Sequence, residues 1–166
     1  MTTMTEAAVT TQVHRIYIQA TPEAVWTAIT DPEWTEKYGY GGRGEFDLRA
    51  GGSYAGRSSQ EMRDSGAPDV AVDGEVLEAD PPNRLVHTFR MLMDDDMAAE
   101  GFTRLTYEIV EVAGRTRLTI THELEGAPRL AQLLAGDWED RGAGGGWPFV
   151  LSSLKTLLET GAGFTH

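Results

Sequence analysis

Four histidines and five tyrosines are the side chains of this chain best able to move a proton or anchor a polar group. His87 lies in "RLVHTFRMLM" and His122 in "TRLTITHEL". Both stretches alternate. Leu85, His87, Phe89, Met91 and Met93 share one face of the first, and Leu118, Ile120, His122 and Leu124 one face of the second. Side chains two apart on a strand point the same way. Each histidine is therefore expected to face inward among apolar neighbours. There it could serve as a general acid or base, or orient a ligand through a hydrogen bond. The plainer expectation is a core histidine that bonds a neighbour. No third ligand at metal-binding spacing accompanies the pair, so no metal is expected. His14 is placed outside this pocket.

Tyr38, Tyr40, Tyr54 and Tyr107, with Trp34 and Trp147, supply enough ring surface to line a pocket. Trp34 and Trp147 read first as core. Tyr54 and Tyr107 read equally well as core or as lining. Asp94-Asp95-Asp96 with Glu100 lacks the glycine and the terminal glutamate of a calcium loop, and reads as a solvated connection. "GAGGG" at 142–146 has no Lys-Ser or Lys-Thr after it and no parallel βα unit around it. It reads as a flexible entrance to a helix. There is no cysteine, and no serine stands in a Gly-x-Ser-x-Gly elbow, so nucleophilic catalysis has no support. No cofactor is expected.

Strands must carry most of these side chains. "VHRIYIQA" reads as a first strand. Thr21-Pro22-Glu23 and Asp31-Pro32-Glu33 are two helix starts ten residues apart. They predict two short helices, with Gly39, Gly41 and Gly42 ending the second. From Glu45 to Leu124 everything reads as strand and turn, including "SYAGRSSQEM" as strand and "DDDMAAEG" as polar loop. The regular spacing implies an antiparallel meander with one wet face. "APRLAQLLAG" reads as a short helical segment. Trp147, Val150, Leu151, Leu154, Leu157 and Leu158 then form the apolar stripe of a long helix stopped by Gly161. A long sheet with one apolar face must curl and be covered. Only this last helix is long enough to cover it.

The 166 residues fit one domain, expected over 13–161, with 1–12 as a disordered leader and 162–166 as a tail. A net charge of −12 disfavours nucleic acid and anionic membranes. The N-terminal stretch lacks the features of a signal peptide and no apolar run reaches membrane-spanning length, so a cytoplasmic protein without membrane insertion is expected.

"TPEAVWTAITDPEWTEKY", "FDLRAGGSY", "GEVLEADPPNRLVHTF", "TRLTITHEL" and "GWPFVLSSLKTLLE" occur in an order that resembles the SRPBCC or START-like superfamily. More narrowly they resemble the family named after the activator of the heat-shock-protein-90 ATPase, over roughly Val13 to Thr160. The resemblance implies an α+β helix-grip fold: a curved antiparallel sheet of about six or seven strands around a long C-terminal helix, with a cavity between them. It also implies a class of binders of lipids, polyketides and other hydrophobic molecules, some of them cyclases or aromatases. This chain departs from the narrower pattern in two ways. It inserts residues between Gly126 and Gly145, and it has a histidine at 87 where an aromatic is usual.

The reading is non-catalytic binding or sensing of a small hydrophobic molecule. Tyr54, His87, Phe89, Tyr107, His122, Trp147 and Leu151 are the expected lining. The alternatives are a cyclase-type enzyme using a cavity histidine or tyrosine as acid or base, and a chaperone ATPase co-regulator. A chaperone partner is not favoured, because the additional region through which full-length activators engage the chaperone is not seen here. A homodimer is an option.

Overall fold

The computed structural model describes residues 11–141 and 144–164. Seven strands form one antiparallel sheet: β1 (Thr11–Ile18), β2 (Arg43–Phe46), β3 (Ser53–Arg57), β4 (Val70–Asp80), β5 (Arg84–Met91), β6 (Thr103–Val112) and β7 (Arg115–Glu123). Their order is β1-β7-β6-β5-β4-β3-β2. Strands β2 to β7 thus run as an unbroken meander, and β1 closes the far edge beside β7. The expected helix-grip architecture is what is found.

The two early helices fall where their caps place them. In α1 (Pro22–Thr30) the Thr21 hydroxyl accepts from the Ala24 N–H. In α2 (Pro32–Thr35) the Asp31 carboxylate accepts from the Glu33 N–H at 2.9 Å. Val25, Trp26, Ala28 and Ile29 bury the inner face of α1. Trp26 escapes the simple periodic pattern of that helix.

Two expected non-helical segments are helical instead. The segment read as strand after β3 ends at Arg57, and Ser59 caps α3 (Gln60–Asp64) by accepting from the Met62 N–H. The acidic connection is α4 (Asp95–Ala99), capped by Asp94. In both, a side-chain oxygen satisfies the orphan N–H groups of a single turn, a local effect that outweighs strand propensity. Met97 of α4 is buried. The leader boundary also shifts. Thr11 and Gln12 belong to β1, opposite Glu123 and His122, and residues 1–10 lie outside the described residues.

The insertion forms α5 (Pro128–Leu134) and a short 3-10 turn over Glu139–Arg141. Leu130, Ala131 and Leu134 are buried. Of the glycine run, Gly142 and Ala143 lie outside the described residues. Gly146 has φ 69°, and a Cβ there would stand 2.2 Å from the Leu134 carbonyl oxygen. Only glycine permits so close an approach of the end of α5 to the start of the next helix. That helix is α6 (Gly146–Thr160), ended by Gly161 at φ 94° with its N–H on the Leu157 carbonyl. Trp147, Leu151, Leu154 and Leu157 are buried along it, as the apolar stripe predicts.

Candidate functional site

The inner face of the sheet follows from the register. Val76, His87, Leu105, His122 and Gln12 lie opposite one another across β4, β5, β6, β7 and β1. Apolar and polar side chains alternate from Val76 to His122, and the polar Gln12 ends the row. The neighbouring row includes Leu85, Tyr107, Ile120 and His14. His14 is therefore on the inner face, and its expected position outside the pocket is corrected. Val13, Arg15 and Tyr17 are the outward residues of β1. Burial lowers the His14 pKa.

Two clusters gather most of the expected lining. In the first, the His87 ring lies 4.3 Å from Tyr54 and 5.9 Å from Tyr107, between centroids. Phe46 packs on Tyr54 at 4.6 Å and edge-on to His87 at 5.4 Å. In the second, His122 meets Phe89 at 5.0 Å and Trp147 at 6.1 Å, both edge-on. Leu151 follows one turn beyond Trp147, 3% exposed. All seven expected residues are thus on the side where the sheet and α6 face each other, packed in or against the core.

The histidines differ in their bonding. Trp147 Nε1–H donates to His122 Nδ1 at 3.2 Å. An indole only donates, so Nδ1 is bare and the neutral ring carries its proton on Nε2. That proton goes to Thr103 Oγ1 at 2.8 Å, whose own hydroxyl donates to the Phe89 carbonyl at 2.9 Å. The chain from Trp147 to Phe89 is complete, and it ties the first turn of α6 to three strands. His87 Nδ1 is 2.7 Å from the Thr88 carbonyl oxygen. Its Nε2 is buried with no hydrogen-bond partner among the described residues. Burial pulls His87 down to about 4. Burial, and then the nearby His87 and His14, pull His122 down to about 3. Both rings are neutral at pH 7.

Three tyrosines close the other side. Tyr38, Tyr54 and Tyr107 are each partly accessible to water. Yet burial pushes all three hydroxyls well above the ordinary tyrosine pKa, and Tyr54 and Tyr38 raise Tyr107 further. Tyr38 donates to the Ala28 carbonyl at 2.9 Å. Tyr38, Phe46, Gln12 and Thr103 were not among the expected site residues. Tyr38 and Phe46 carried a usable signal, since both are aromatics beside the capped helices and strands that form the wall. Gln12 and Thr103 gave none, because their roles depend on cross-strand register.

Two clefts are open on the outside. One, of about 400 Å³, is lined by Gln19 to Pro22 with Glu111, Gly114 and Arg115. The other, of about 520 Å³, runs along Pro22, Asp80, Pro82, Arg84 and Glu108. Neither lies between sheet and α6, and neither contains an expected site residue.

The fold is shared with solved structures at low identity. Protein CV1439 from Chromobacterium violaceum is 26% identical, with 90% of this chain and 97% of that one covered and a TM-score of 0.64. CalU16 from Micromonospora echinospora, solved in solution, is 21% identical, with 93% and 69% covered and a TM-score of 0.62. The Aha1 dimer from Colwellia psychrerythraea is 21% identical, with 92% and 98% covered and a TM-score of 0.60. No curated protein matches this chain. Residues 19–159 match the family described as activator of Hsp90 ATPase homolog 1-like protein, which spans both short helices, six of the seven strands and nearly all of α6, and the chain belongs to that family.

Proposed function

We propose that this protein binds a small hydrophobic molecule between the sheet and α6, without transforming it, and works in the cytoplasm. The observation that carries this reading is the wall of rings on the inner face, where Phe46, Tyr54 and Tyr107 surround the buried His87. Aromatic walls with a few polar groups are the usual make-up of a small-molecule site. The family match by itself fixes no reaction, because a shared fold hosts many functions.

The acid–base alternative draws less support from the site. Both His122 nitrogens are engaged, and His87 is held at about 4, too weak a base for work near neutral pH. The family description names a chaperone ATPase activator, and one similar protein is described as a dimer. A second copy therefore remains the protein partner with a lead.

The test is native mass spectrometry of the protein purified from its own host. The expected result is one small apolar molecule bound per chain and recovered unchanged. Protein that carries no adduct, and takes none up from a lipid and polyketide extract of that host, would remove the binding role.

A further inference from the structure

Counting hydrogen bonds separates the two fully buried histidines of the inner face. A backbone carbonyl only accepts, so the 2.7 Å contact with Thr88 places the His87 proton on Nδ1. Nε2 then carries a bare lone pair. The side chain is 0% exposed, and Nε2 has no partner among the described residues. Because Nδ1 is turned back to the strand, Nε2 lies on the far side of the ring, within the Phe46, Tyr54 and Tyr107 cluster. His122, by contrast, has no capacity left.

Charge is missing from the same surface. Apart from Glu111, which is exposed at the far end of β6, the positions that alternate inward on the seven strands hold no Lys, Arg, Asp or Glu. The buried residues of α6 are Gly146, Trp147, Leu151, Ser153, Leu154 and Leu157, again uncharged. A carboxylate brought here would be desolvated with no countercharge, and a cation likewise. A neutral donor would meet an acceptor that already lacks one.

Resting on the interior-binding reading above, we infer that the bound molecule is an uncharged amphiphile: an apolar body bearing one hydroxyl or N–H that donates to His87 Nε2. His87 is then a specificity residue, the one that selects for a donor. A fatty acid fits poorly, and a phenol or an alcohol on a fused-ring or long apolar body fits well.

Three matched probes test this by calorimetric titration at pH 7: 2-naphthol, 2-methoxynaphthalene and 2-naphthoate. They share a ring system and differ in offering a donor, only an acceptor, or a charge. 2-Naphthol should bind about three- to tenfold tighter than its methyl ether, the yield of one hydrogen bond. 2-Naphthoate should bind at least about tenfold more weakly than 2-naphthol. In His87→Phe the advantage of naphthol over the ether should vanish. Nitrogen NMR of the unmodified protein gives a second readout that needs no variant. The His87 Nε2 resonance should move on adding 2-naphthol and stay put with the ether. Equal binding of naphthol and ether, naphthoate binding as tight as naphthol, or an unmoved Nε2 resonance would overturn the inference while leaving interior binding intact. If none of the three binds, the inference and the interior-binding reading fall together.

Discussion

At the residue scale, the buried histidines make stability depend on pH. His87 and His122 are neutral in the fold, pulled by burial from an ordinary 6.5 to about 4 and about 3. An unfolded chain protonates both as pH drops through 6.5, while the folded chain does not until the lower values are reached. The unfolded state therefore binds more protons across this window. The histidine contribution is complete above pH 6.5 and is lost as pH falls toward about 4 and about 3. Its slope approaches roughly 1.4 kcal/mol per pH unit for each histidine within the window. Urea unfolding of wild type and His87→Phe between pH 7 and pH 4.5 should show a shallower decline in the variant. Parallel declines would mean that His87 titrates in the folded protein as it does in the unfolded chain. His122→Phe should cost about 1–3 kcal/mol at pH 7, because it orphans the buried Trp147 N–H. The histidine faces were legible from alternation alone. Their opposite bonding was not, since it depends on the His87 ring turning back to the carbonyl of the next residue, Thr88, and on Thr103 and Trp147 reaching His122 from elsewhere in the chain.

At the element scale, the insertion is held by a contact that spacing does not reveal. The Glu100 carboxylate, just after α4, accepts from the Arg129 and Leu130 N–H groups at 2.9 and 3.2 Å. It caps the N-terminus of α5, whose own Ala127 makes no side-chain cap. The acidic stretch from Asp94 to Glu100 is thus a pair of helix caps rather than a solvated loop. α5 in turn receives the Gln12 side-chain N–H on the Ala131 carbonyl at 2.8 Å, so it seals the β1 end of the inner face. Glu100→Ala should cost about 1 kcal/mol, within the range for losing a cap. Hydrogen exchange at the Arg129 and Leu130 amides should accelerate with it, and unchanged exchange would show that α5 is held by its apolar face alone. Helix α6 supplies the contrasting case. Leu154 is 2% exposed, so Leu154→Ala should cost about 2–5 kcal/mol. The exposed Asp95→Ala should stay within about 0.5 kcal/mol. Thermal melts of the two that coincide would mean α6 is gripped by something other than this stripe. The long helix, the paired early helices and β4 to β7 were readable because each carries its own period, cap or turn. Helices α3 and α4 were not, because one turn is too short to show a period.

At the scale of the whole molecule, the sheet wraps a helix to make a wall of rings with a few neutral polar groups set into it. Phe46 and Tyr54 come from the first hairpin of the meander, His87 and Tyr107 from its middle, and Tyr38 from the segment after α2. No single stretch of sequence contains this set. The meander assembles it by stacking one inward position from each of four strands. Between these rings and the stripe of α6 there must be room for a molecule if the protein is a binder. The outer clefts beside Pro22 offer the competing location. A crystal pressurised with xenon distinguishes them most directly, because xenon enters apolar space and is seen at its own position. The account predicts a xenon atom between the sheet and α6, in contact with Phe46, Tyr54 or Tyr107. Xenon confined to the clefts at Pro22, or absent from the interior at saturating pressure, would contradict it.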